Sequence, residues 1–155
     1  MRKLSLSELA SVADITGAFA VAITLIFLIV SIDKNTAIIT AQVEDASYEA
    51  VRELNLELLN NPELFDITSR AATSLDNLDD AELEKYKIWI YINLDLWERF
   101  YSWDRSGVID QNAAGWHDYF SAWATRHVTR ELWHDIKWKF MDPGFNEQVE
   151  SALSE

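Results

Sequence analysis

Ile15-Thr-Gly-Ala-Phe-Ala-Val-Ala-Ile-Thr-Leu-Ile-Phe-Leu-Ile-Val-Ser-Ile32 is an 18-residue run without a charge, closed by Asp14 and Asp33. As an α-helix it is about 27 Å long, close to the ~30 Å of hydrocarbon in a bilayer. A water-facing core helix needs a polar side, and no side of this run is polar enough. The stretch therefore reads as a transmembrane helix over 15–32. A short amphipathic segment, 1–14, precedes it and an acidic, Trp-rich domain, 33–155, follows. A cleaved signal peptide fits less well. Its apolar core is usually 7–15 residues and ends at a small-residue site, whereas here Ala18-Phe-Ala20 lies inside the run.

Charge is unevenly placed. Residues 1–34 hold three basic and three acidic side chains, so the net charge of −13 belongs to the remainder. Residues 35–84 carry twelve acids against only Arg52 and Arg70. Nucleic acid is a poor partner for such a surface, because phosphate binding needs clustered Lys and Arg. The absence of cysteine removes disulfides, thiolate metal sites and cysteine nucleophiles. Four Gly and two Pro in 155 residues leave few breaks, which favours long helices.

The pattern downstream is helical throughout. Ser5-Leu-Ser-Glu8 fits a capping box, and no Gly or Pro interrupts 18–59, so one helix is expected to run through the span and beyond it. Ile39, Val43, Ala46, Ala50, Leu54 and Leu58 form an apolar stripe on its acidic continuation, which also carries Glu44, Asp45, Glu49 and Glu53. Asn60-Asn61-Pro62 ends that helix, and Asn61 caps a short one. Asp79 caps a long helix from Ala81 to about Asp104 whose two apolar faces predict a central place in a bundle. Gly107 ends it, Asp110 is expected to cap the next, a break falls near Thr129, and Asp142-Pro143-Gly144 opens the last. The fold expected is all-α: a transmembrane helix continuing into a long helix, then a compact helical bundle.

The span itself is lopsided. Asp14, Gly17, Val21, Thr24, Leu28, Ser31 and Asn35 recur at steps of three and four, and Ser7 and Ser11 extend the row towards the N-terminus. Small and hydroxylated residues on one stripe let membrane helices approach closely and hydrogen-bond. Phe19, Ile23, Ile26, Ile29 and Val30 on the other side suit lipid. Self-association through the stripe is the leading expectation. The simpler alternative is a monomeric anchor whose hydroxyls bond their own backbone. If helices surround an axis, the stripe instead lines a homo-oligomeric, cation-permeable pore. Thr24 and Ser31 are then wet rings, Val21 and Leu28 constrictions, and Asp14 and Asp33 charged mouths.

Enzyme chemistry finds little to stand on. There is no Gly-x-Ser-x-Gly elbow, Gly-rich phosphate loop or His-Glu-x-x-His. Glu131-Leu-Trp-His134 has the spacing of a carboxylate–histidine metal pair, but the second such pair is missing. No cofactor or metal is expected, and the seven Trp, all within 89–138, read mainly as core.

The junction Leu28-Ile-Val-Ser-Ile-Asp-Lys-Asn35-Thr36 resembles that of a widespread family of uncharacterised bacterial proteins. They have one N-terminal membrane helix, an Asn-Thr junction and a helical C-terminal domain. Asn61-Pro62-Glu63-Leu64, the aromatic stretch Trp97 to Tyr101, the Gly107-Val-Ile-Asp110 turn, Trp116 and Phe145 carry the resemblance onward. It implies the bacterial inner membrane and a cytoplasmic C-terminal domain, and no activity. Asp33 stands where that family usually has a base. Counting Arg2 and Lys3 against Lys34 places the N-terminus in the cytoplasm instead, by one charge. The chain thus reads as a non-enzymatic, single-pass membrane protein that self-associates as an assembly, accessory or sensor module. Lipid is its expected partner. The alternatives are a cation pore and a monomeric, membrane-anchored ligand sensor.

Overall fold

The computed structural model describes residues 6–110 and 115–154, with side chains from Asp14 onward. Six α-helices and two 3-10 turns make up the described residues, with no strand among them. Helix α1 runs unbroken over Leu6–Asn60, as the lack of Gly and Pro beyond residue 17 predicts. The expected capping box of Ser5 with the Glu8 side chain, and the Ser7 and Ser11 side chains that extend the stripe, lie outside the described residues. Two compact units divide the chain, Met1–Gln42 and Val43–Glu155.

In the second unit the helix ends fall where local chemistry dictates. Helix α2, Pro62–Ala71, begins with Pro in its first turn, and the Asn61 side chain accepts from the Leu64 N–H at 3.1 Å. Helix α3, Asp80–Arg105, starts with a reciprocal capping box between Asp79 and Glu82. Between them, Arg70 ties the corner. It donates to both carboxylate oxygens of Glu82, at 2.5 and 3.0 Å, to Asp66 at 2.8 Å and to the Asn77 carbonyl at 2.6 Å. The Arg70 guanidinium, with the Asp79 N–H, holds the Glu82 carboxyl down at about 2.

The expected cap of the next helix, Asp110, is not at its start, and residues 111–114 lie outside the described residues. Helix α4 is Trp116–His127, preceded by Gly115 in the left-handed region at φ 73°. Gly107 is also left-handed, at φ 71°, and Ile109 two residues on is buried in the core. Thr129 then caps α5, Arg130–Ile136, and Asp142 caps α6, Pro143–Ala152.

The core is aromatic. Trp97 on α3 is fully buried, stacked on Phe120 of α4 at 5.7 Å and edge-on to Phe145 of α6 at 5.6 Å. One turn on, Phe100 meets Trp116 at 4.7 Å and Phe120 at 5.3 Å. Val43, Ser47, Ala50, Val51, Leu54 and Leu58 are the covered side of the Val43–Asn60 part of α1. Ala46 of the expected stripe is exposed, and Ser47 takes its place, donating to the Val43 carbonyl at 2.6 Å. The second apolar face of α3 is only partly covered. Leu96 is buried, but Ile88 and Ile92 are 56% and 43% exposed, so α3 is open on one flank.

Tyr101 lies over the first turn of α6, and a Cβ on Gly144 would overlap its hydroxyl. Gly144→Ala is therefore expected to cost about 1–3 kcal/mol in denaturant unfolding. Tyr101→Phe in the same chain should recover most of that loss, since the hydroxyl is the clashing atom. Equal losses in the single and double variants would exclude the contact as the cause.

Candidate functional site

Helix α1 is the one helix among the described residues that is long and apolar enough to cross a membrane. None of its most apolar window is buried. At 100° per residue, Asp14, Gly17, Val21, Thr24, Leu28, Ser31 and Asn35 lie within an arc of about 100°. Along this arc Gly17 has no atom within 4 Å of the place a Cβ would occupy, so it leaves an open notch. Thr24 donates to the Ala20 carbonyl and Ser31 to the Phe27 carbonyl, each at 2.8 Å. Both hydroxyls thus spend their proton within the helix, as the monomeric-anchor alternative expects. They keep only acceptor capacity for a neighbour.

The acidic residues divide. Glu44, Asp45, Glu49 and Glu53 are all exposed. Asp45, Glu49 and Glu53 follow at intervals of four and form one ridge, while Glu44, nine residues before Glu53, falls on the opposite side. Among the described residues Glu49 alone of the four has an ion pair, with Arg52 at 3.1 Å, and both partners are largely exposed. Glu53 borders a groove of about 180 Å³ floored by Ala50, Leu54, Ile92 and Leu96, beside the Asp95–Arg99 pair.

Two further concavities were not legible as sites in the sequence. The first, about 330 Å³, is lined by Leu58, Phe65, Thr68, Ser69, Ala72, Arg126 and His127. The His127 ring stands edge-on to Trp89 at 5.2 Å and against Trp123 at 5.5 Å, and its carbonyl accepts from the Tyr86 hydroxyl at 2.7 Å. Burial, with Arg126 adjacent, pushes the imidazole down to about 4. Burial also raises the Tyr86 phenol. The second groove, about 260 Å³, lies between α5 and α6 and is lined by Arg130, Trp133, His134, Lys137, Glu150, Leu153 and Ser154. Its residues come from elements about twenty positions apart, a proximity that only folding creates.

Glu131 and His134 are both exposed, and among the described residues no group of three or more His, Asp or Glu is placed to hold a metal ion. No family model, curated protein or solved structure matches this chain.

The depressed His127 fixes a pH dependence. A histidine held neutral in the fold stabilises it above its unfolded pKa of about 6.5, and that stability is lost as pH falls from there towards 4. Allowing for solvent screening at this partly buried ring, the loss is on the order of 2 kcal/mol. Thermal unfolding between pH 7 and 4, read by near-ultraviolet circular dichroism, should show it, and His127→Leu should flatten the slope. A slope unchanged by that substitution assigns the effect to other groups.

Proposed function

We propose that this chain is a non-enzymatic, single-pass protein of the bacterial inner membrane. Its span packs against a second copy, and its helical domain acts as an assembly, accessory or sensor module at the membrane surface. One observation carries the reading: eleven bulky apolar side chains between Ile15 and Ile32 are exposed. Leaving them in water costs about 1.5–3 kcal/mol each, a total beyond the ~5–15 kcal/mol that stabilises an ordinary domain. Lipid removes that cost along the whole circumference at once. Helical geometry also suits the bilayer, because every interior backbone group is paired within the helix.

Pairing through the Gly17 side is supported by the contrast between the two flanks. Gly17, Thr24 and Ser31 keep one flank narrow, while Phe19, Ile23 and Ile26 make the other broad. Close approach of two backbones gains dispersion contacts only on the narrow flank. With both hydroxyl protons used internally, packing rather than hydrogen bonding is the source of affinity. The resemblance to single-span bacterial proteins agrees with this reading.

Light scattering after size-exclusion in mild detergent is expected to show more than one copy per particle. Gly17→Leu should weaken association by about tenfold, or about 1.4 kcal/mol, while Ile23→Leu on the broad flank leaves it unchanged. A monomeric mass at all concentrations would refute self-association. Liposomes carrying the protein are expected to hold an ion gradient. A cation leak altered by Leu28→Ser would replace packed spans by a pore.

A further inference from the structure

We infer that the groove between α5 and α6 is a docking site for the acidic ridge of a second copy of this chain. Arg130, at the groove's edge, is exposed and has no ion pair or hydrogen bond among the described residues. Lys137 reaches Glu150 only at 3.5 Å, and Trp133 donates to the same carboxylate at 3.4 Å. His134 is exposed beside them, and Trp133 and Leu153 supply apolar lining. The groove is thus cationic at its rim, apolar below, and only loosely neutralised by Glu150. In a chain of net charge −13 that is a local reversal of sign.

The complementary surface lies on the same chain. Asp45, Glu49 and Glu53 place three exposed carboxylates at intervals of four, with Leu56 exposed close by on the same side. Like charges at that spacing destabilise a helix slightly, and the exposed Glu49–Arg52 pair offsets little of it. A cationic groove relieves the repulsion, and an apolar lining receives Leu56. Charge complementarity therefore selects this ridge as the occupant. The two surfaces differ, so the contact is head-to-tail, and repeated copies close into a ring or extend as a row.

A groove of this size buries far less than the roughly 1,200 Å² of a stable free interface. Confinement of both copies to one membrane raises their effective concentration towards the millimolar range, where a weak contact suffices. The inference in that respect rests on the membrane reading above.

The test uses full-length protein reconstituted in liposomes. Since the chain has no cysteine, one population carries Glu53→Cys and a second, distinguishable by a tag, carries Lys137→Cys. Oxidation of the mixture should give the mixed cross-link, with a yield falling at least about fivefold between 50 and 500 mM salt. Without cysteines, Glu49→Lys with Asp45→Lys should lower the oligomeric fraction, as should Arg130→Glu with His134→Glu. Combining all four should restore it to within about twofold of wild type. Circular dichroism confirms that each variant folds. Absence of the mixed cross-link, or no recovery in the fourfold variant, overturns the docking site. If the protein then still associates and Gly17→Leu still weakens it, the docking inference alone has failed. If the protein cannot be retained in liposomes after alkaline extraction, the membrane reading has failed as well.

Discussion

Trp97 is the point at which the helical domain is joined. Its indole is in contact with α4 through Phe120 and with α6 through Phe145, and all three rings are buried. Phe100, one turn further along α3, repeats the connection to α4 through Trp116 and Phe120. No hydrogen bond among the described residues satisfies the Trp97 indole N–H, so its contribution is packing alone. Truncating such a side chain typically costs about 3–5 kcal/mol, a large part of the total stability of a domain this size. The α6 wall of the α5–α6 groove is joined to α3 through this set of rings, by the Trp97–Phe145 contact.

Most of the architecture was legible because it is written in local chemistry. Asn61, Asp79, Thr129 and Asp142 each cap the helix that follows them, and Gly107 ends α3 in the one conformation glycine adopts freely. Where the reading failed, a local signal did not decide the outcome. Asp110 is a good capping residue, but α4 begins at Trp116 with the left-handed Gly115 in the cap position. Ser47 looks polar, yet bonding its hydroxyl to Val43 lets it lie on the covered face that periodicity assigned to Ala46. Periodicity also gave α3 two covered faces, and nothing in a pattern of apolar residues reveals that one of them is covered only in part, at Leu96 and not at Ile88.

The surfaces were harder to read than the helices. The small-residue stripe and the acidic ridge follow from spacing along one helix, α1, so both were visible. The His127 groove and the Arg130–Lys137 groove join residues from different helices. Their properties arise from burial and from the pairing of charges, which spacing does not encode. Arg70 illustrates the same point, because its reach to Glu82, twelve residues away, depends on the turn between α2 and α3.

In the proposed self-association, the back-bonded hydroxyls and the acidic ridge together constrain how copies of this chain would meet. Pairing through a helix whose Thr24 and Ser31 protons are committed to its own carbonyls would offer packing without strong directional bonds, so its affinity would be modest. A symmetric contact that set ridge against ridge would oppose Asp45, Glu49 and Glu53 with their own images, at a cost that grows as water is excluded. Any arrangement that brings the domains together must therefore turn the ridge away from itself, outward or onto a surface of opposite sign. The rim of the α5–α6 groove is such a surface, with a cation, Arg130, that no other described residue neutralises. In the proposed assembly, two weak and unlike contacts, one in lipid and one in water, would suffice together where neither does alone. Salt would act on only one of them, which would give such an assembly an adjustable element without requiring a ligand.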